Sequence, residues 1–231
     1  MKKSMVIAIA LSALTLQGCG TVMNMRADAA LFDMQNIETT LDTQPVKSAV
    51  YTNVRSIVVA DISDELGEYY PKDNKRLYRA AVAELELMLK ETGKFKVLSK
   101  KSFRDKLAAL DLEIDPTIDD DDELNKNYAK VGKALNAHAV VSFGLEAPGA
   151  TSLSNQAKYM GQLIIDGGIT IMMFASVDFV RSKTGEVLWS QRSKVGWATG
   201  TQGLATTKNS ALRKKLRVIL KPLVDQAVKG A

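Results

Sequence analysis

Val177-Asp-Phe-Val-Arg-Ser-Lys-Thr-Gly-Glu-Val-Leu-Trp189 is the stretch on which the fold turns. Val177 to Val180 is a largely apolar run, Lys183-Thr184-Gly185 interrupts it, and Val187-Leu188-Trp189 is a second apolar run. A three-residue break containing glycine between two such runs reads as a β-hairpin, because glycine reaches the positive φ that tight hairpin turns require. Followed outward, the pattern predicts two long strands, Ile169 to Arg181 and Glu186 to Ala198. Met172-Met173-Phe174 makes the first of them apolar on both faces, as suits a central strand covered by helices. Gly167-Gly168 just before it marks a bend or bulge; the further glycines and the lysine of a phosphate loop are missing.

Upstream the chain alternates between the two periodicities. Arg55 to Asp61 is a β-branched run of strand length. Residues 62–72 read as a loop around Gly67 and Pro71. Asp73 is placed to cap a helix to about Thr92, with Leu77, Ala81, Leu85, Met88 and Leu89 inward and Gly93 as its stop. Phe95 to Leu98 is a second strand, and Ser99 caps a helix whose Phe103, Leu107 and Leu110 share a face. A third helix ends near Asn136 with Leu124, Tyr128, Val131 and Leu135 inward, and Ala139 to Gly144 is a third strand. At the far end Ser210 to about Val228 is amphipathic. Leu212, Leu216, Ile219, Leu220 and Leu223 face one way, Arg213, Lys214, Lys215, Arg217 and Lys221 the other, and Pro222 is expected to kink or restart it. Strand–helix–strand units followed by a hairpin predict an α/β (α+β) domain, a mixed sheet flanked by helices.

The amino terminus belongs to a different kind of structure. Lys2 and Lys3 precede an apolar run of about 12 residues ending at Leu16, short of the roughly 20 that span a bilayer as a helix. That is the plan of a secretory signal peptide. Leu16-Gln17-Gly18-Cys19 resembles the bacterial lipobox. The resemblance implies cleavage after Gly18, a diacylglycerol on the Cys19 thiol and an N-acyl chain on its amine, and no other cofactor. Two or more acyl chains hold a protein stably where one does not. Cys19 is the only cysteine, so no intramolecular disulfide competes for it. Gly20 follows; by the enterobacterial sorting rule an aspartate there retains a lipoprotein at the inner membrane, so the expectation is the periplasmic face of the outer membrane. The predicted organisation is residues 1–18 as signal, 19–50 as lipidated tether with a short helix around Ala27–Met34, and 51–231 as one domain.

Removal of Lys2 and Lys3 takes the formal charge from +5 to +3. That surplus is too small to argue for nucleic acid and only mildly favours an anionic envelope surface. At 46% hydrophobic and 25% charged, the chain has an ordinary globular composition.

Three stretches, in this order and behind a lipobox, resemble one superfamily: Glu91-Thr-Gly-Lys-Phe-Lys-Val-Leu-Ser99, Val131-Gly-Lys-Ala-Leu-Asn-Ala-His-Ala-Val-Val141, where a small residue lets helix approach sheet, and Val177 to Trp189 with its Thr184-Gly185-Glu186 turn. It contains the curli-secretion channel lipoprotein (CsgG) and a lipoprotein activator of a peptidoglycan synthase (LpoB), and shares its fold with the amino-terminal domain of the Tol-system periplasmic protein (TolB). The resemblance covers roughly residues 55–225. It implies a non-enzymatic accessory of an envelope assembly, secretion or peptidoglycan machine, partnered by envelope proteins or by itself in a ring. Channel members carry two membrane hairpins. The first location here holds residues 147–168, but Ala198 to Ser210 offers only about a dozen residues, whereas two membrane strands need about 9–11 each. A secretion pore is therefore the secondary expectation.

The remaining constellations read as structural. Asp119 to Glu123 lacks the alternation and central glycine of a calcium loop and suits a helix start. His138 is the only histidine and makes no metal site alone. Trp189 and Trp197 share a strand face with Val187 and Val195; core packing is the favoured reading, an interface with membrane or partner the other. Lys214 and Lys215, on the basic face of the last helix, are the further interface candidates. No small-molecule substrate is evident.

Overall fold

The computed structural model describes residues 34–42, 44–65, 72–114, 121–146, 169–199 and 209–231. The β-branched run settles first, because Ile57, Val58 and Val59 have no polar side to offer water and all three are fully buried. Strand β3 (Ser56–Val59) lies between β4 (Lys96–Leu98) and β5 (Ala139–Glu146), parallel to both. From β5 onward the pairing turns antiparallel: β5 pairs with β6 (Ile169–Arg181) and β6 with β7 (Val187–Thr199). Two further strands, β1 (Met34–Leu41) and β2 (Val46–Lys47), both pair antiparallel with β7. The seven described strands form one sheet of order β1-β7-β6-β5-β3-β4, with β2 beside β1's end of β7.

Helices α1 (Lys72–Glu91) and α4 (Asn209–Gly230) cover one face. Their Leu77, Ala81, Leu85, Leu89, Leu212, Leu216, Leu220 and Leu223 pack on Ile57, Val141, Val177, Phe179 and Trp189. Helices α2 (Lys100–Ala109) and α3 (Asp121–Ala134) cover the other face, over Val58, Val140 and Val180. All five inward positions expected for α1 are buried. Ser99 caps α2 as expected, its side chain accepting from the backbone N–H of Lys101. Gly93 has φ +64° and Gly185 φ +80°, so each glycine stands where a side chain would be strained.

Five expectations are corrected. The described residues of 34–50 are not tether: β1 and β2 belong to the sheet and Tyr51, in the short 3-10 turn Ala49–Asn53, is fully buried, so the domain includes residues before 51, from Met34 on. The alternation was there, with Ile37, Thr39 and Leu41 half-buried and Glu38 and Thr40 exposed. Polar residues dilute it because β1 is an edge strand. Of the expected helix around Ala27–Met34, Met34 belongs to strand β1 and the other residues lie outside the described ones. Asp73 sits inside α1, not at its cap. Leu110 ends α2 at 40% exposure, because Asp111 turns the chain away at φ 51°. Helix α4 runs through Pro222 as one helix and does not restart there. Proline there removes a bond to the Val218 carbonyl, and buried Ile219, Leu220, Leu223 and Val224 hold the helix through it.

A bulge refines the hairpin. Phe179 faces Trp189 but Val180 faces Val187, so Leu188 is the extra residue. It puts Leu188 and Trp189 both into the α1/α4 core and turns Val187 to the opposite face, not the shared one expected.

Candidate functional site

Each candidate residue takes a definite place, and the fold does not gather them. Leu16, Gln17, Gly18 and Cys19, the lipobox, lie outside the described residues, as do Asp119 and Asp120 of the acidic run and all of 147–168 and 200–208. Trp189 is fully buried and therefore withdrawn from the interface role. Trp197 lies opposite Ile171 in the β6–β7 ladder; its side chain is outside the described residues. Lys214 is exposed on α4 and Lys215 half-buried beside it.

His138 meets Ser56 where β5 and β3 begin, Ser56 Oγ lying 2.9 Å from His138 Nδ1. The spacing is that of a nucleophile and its base, yet the rest of the geometry is a backbone clamp. The Ser56 N–H donates to the same Nδ1 at 3.1 Å, and the His138 N–H donates to the Ser56 hydroxyl oxygen and carbonyl at 3.1 and 2.9 Å. The imidazole is thus occupied by the chain it holds, at the exposed amino ends of two parallel strands.

Two acid-centred networks are the features that sequence periodicity did not disclose. Asp61 follows β3 with its carboxylate fully buried, accepting the Ser63 N–H at 3.2 Å and pairing with Lys100 at 3.1 Å and Arg104 at 3.5 Å. Arg104 reaches on to Asp64, which Arg79 of α1 also holds at 2.8 Å. The β3–α1 loop is stitched in this way to both helical layers. Burial alone would raise the Asp61 carboxyl, but hydrogen bonds from Ser63 and Lys100 and the Lys100 charge outweigh it and the net displacement is downward. Its contribution to stability is accordingly present above the unfolded value of about 3.9 and is lost as pH falls through the lower folded value. At neutral pH Asp61→Asn is expected to cost roughly 1.5–3 kcal/mol, the range for hydrogen bonds to a charged group. The two proteins' urea midpoints should begin to converge as pH falls below the unfolded value of about 3.9; a gap that widens in acid would refute the assignment.

The second network joins α1 to α4. Glu84, only 5% exposed, accepts from Arg213 Nε at 2.9 Å and Arg217 Nε at 2.6 Å, and Arg217 also pairs with Glu91 at 2.9 Å. Glu91 and Glu84 together hold the Arg217 proton above its ordinary range. Much of the basic face expected for α4 is therefore turned inward onto α1, and Lys221 is paired along the helix with Asp225. Glu84 lies three residues after inward Ala81 and four before inward Met88, a position that could have flagged it as a buried acid in need of a cation.

Outside these networks, a shallow cleft of about 490 Å³ lies between the ends of α2 and α3, floored by Leu110, Leu112 and Ala134 and rimmed by Lys130 and Lys133. Among the described residues no cluster of three metal-ligating side chains occurs, and no helix is long and apolar enough to cross a membrane.

No protein-family model matches the chain, and no curated protein matches it by sequence. Among solved structures it is similar to the PelC dodecamer from Paraburkholderia phytofirmans, at 13% identity and a TM-score of 0.39 over 80% of this chain and 97% of that one. A point variant of the same dodecamer matches at 12% identity and a TM-score of 0.37, over 82% of this chain and 98% of the other.

Proposed function

We propose that this chain is a lipid-anchored envelope protein at the periplasmic face of the outer membrane, a non-enzymatic accessory that binds other envelope proteins or copies of itself. The observation that carries the reading is Leu16-Gln17-Gly18-Cys19 behind a charged start and an apolar run too short to span a bilayer. The fold is compatible with it, since the first described strand begins fifteen residues beyond Cys19, leaving a short lead between anchor and sheet. The resemblance to the curli-channel and synthase-activator lipoproteins supports a role in assembly, secretion or peptidoglycan synthesis. The non-catalytic part rests on the Ser56–His138 pair being spent on backbone hydrogen bonds. Kinship with the secretion pores depends on residues 147–168 and 200–208, which lie outside the described ones.

In cells, the wild-type protein is expected in the membrane pellet, its mature polypeptide starting at Cys19 and carrying the mass of a diacylglycerol and an acyl chain. Cys19→Ser should leave the pellet and lose the added mass entirely. A mature terminus elsewhere, without acyl mass, would sink the anchor. Light scattering in detergent then sorts the two roles: a discrete multimer supports self-assembly, a monomer a one-to-one adaptor.

A further inference from the structure

The charge of this protein is not spread evenly over its two helical layers. Helices α1 and α4 together carry eleven Lys or Arg against five Asp or Glu. That surplus of six exceeds the +5 of the whole chain. On the other side of the sheet, the described residues between Lys100 and Ala134 carry seven cations against six anions. One face of the domain is basic and the other, among the described residues, close to neutral.

The basic face also has apolar side chains in the open. Among the described residues, four large apolar side chains are exposed, and two of them sit here: Leu87 of α1 at 37% and Val218 of α4 at 49%. Leu87 lies between Glu84 and Glu91 along α1, and Val218 follows Arg217 along α4, so the pair flanks the Glu84–Arg213–Arg217–Glu91 seam. Around them stand exposed Lys90, Lys94, Lys214, Lys221 and Lys229. Glu84 is buried beneath its two arginines, whose side chains remain 40% exposed. The outer surface therefore sets two exposed apolar side chains beside an ion-paired seam, within a surplus of cations.

We propose that the outer face of α1 and α4 is a docking surface for an anionic phospholipid bilayer, on which the domain lies with the helix axes along the membrane. The proposal rests on the lipid-anchored reading. Charge complementarity selects the occupant: each Lys or Arg near an anionic surface is worth about a fivefold change in binding, and shallow apolar side chains add to it. Tethering supplies the proximity. Fifteen residues from Cys19 to Met34 reach at most about 50 Å, and β1, where that lead ends, packs beside α4. A face that would bind anionic lipid weakly from solution is thereby held at high effective concentration over it.

The full, lipidated chain tests this directly, because Cys19 is its only cysteine and acylation takes it out of play. A thiol-reactive fluorophore is placed at Val218→Cys on α4 or, as control, at Asp105→Cys on α2, a side chain 61% exposed on the opposite layer. Each protein is bound to vesicles of phosphatidylglycerol with phosphatidylcholine, or of phosphatidylcholine alone, and quenched by a water-soluble reagent. Quenching at position 218 is expected to fall several-fold on the anionic vesicles only, and to recover in 1 M salt, where the screening length shrinks to about 3 Å. Position 105 should quench alike on both. Equal quenching at 218 on the two lipids overturns the proposal, as does protection at 105 in place of 218. Protection at 218 on both lipids assigns the face to a second copy of the chain instead. If the protein floats with neither vesicle and Cys19 itself takes the dye, the anchor reading falls and the docking surface with it.

Discussion

Gly132→Leu is expected to leave no cooperatively folded protein, and Gly132→Ala to lower the urea midpoint without changing the slope of the transition. Gly132 lies in α3, directly over the strand that follows it. A Cβ built there meets Ser182 Oγ at 2.2 Å, Val140 Cγ2 at 2.7 Å and Ser182 Cβ at 2.9 Å. Real Cβ atoms do not approach so closely, so helix and sheet must separate. Neither neighbour yields easily: Val140 is fully buried and Ser182 is 4% exposed, its N–H donating to the His138 carbonyl at 3.1 Å. Alanine regains about 1 kcal/mol of helix propensity while overpacking of this kind costs about 1–3 kcal/mol, for a modest net loss. Leucine adds three more carbons to the same space and forfeits most of the 5–15 kcal/mol that holds an ordinary domain together. A second substitution separates contact from propensity. Ser182→Gly removes two of the three clashing atoms, so Gly132→Ala combined with Ser182→Gly should show a favourable coupling of about 0.5–3 kcal/mol. Additive losses, or an alanine variant more stable than wild type, would show that the close approach is not what glycine provides.

This glycine shows what was legible before the structure. A small residue in Val131 to Val141 was expected to admit the helix to the sheet, and Gly132 does so. The hairpin, the helices and the three parallel-paired strands were legible for the same reason. Each buries a continuous stripe, and a buried stripe imposes its period on the residues. The edge strand was not legible: among the described residues Met34 to Leu41 has a neighbour on one side only, and one half-buried face leaves an alternation too diluted to separate from a linker. The bulge at Leu188 was hidden because both Leu188 and Val187 are apolar; only the pairing with Val180 tells which of them turns away. Glu84's helical position marks it as a buried acid, but the partners in both acid networks were invisible for a different reason. Asp61 and Glu84 matter through residues 39 and more than a hundred positions away, Lys100 and Arg213, and periodicity carries no information about contacts of that range. The lipobox is the opposite case, a purely local signal read by processing enzymes rather than by the fold.

Trp189→Ala is expected to cost about 3–5 kcal/mol, the range for removing a large aromatic from a closed core, and to do so in the isolated chain with no partner present. The residue was a candidate for either core or interface, and the packing decides. Its ring stacks on Tyr51 at 6.0 Å and meets Phe179 edge-on at 5.6 Å, while Tyr51 meets Phe179 edge-on at 5.2 Å. The three rings form one nest. It ties β6 and β7 to the turn after β2 and, through the Tyr51 hydroxyl donating to the Ala227 carbonyl at 3.0 Å, to the end of α4. Truncation opens a void in that nest, and the surrounding rings, each held by the others, have little room to close it. Trp189→Phe makes the comparison sharp. The indole Nε1 is buried with no hydrogen-bond partner among the described residues, so phenylalanine discards an unsatisfied donor while retaining most of the apolar area. Its cost should be well below that of alanine, because it leaves a smaller void. Urea unfolding followed by far-UV circular dichroism reads both variants without depending on tryptophan emission. A core residue predicts a large loss for alanine, a small one for phenylalanine, and no difference in assembly once the fold is intact. An interface residue predicts the reverse, stability untouched by either change and loss of the complex with both.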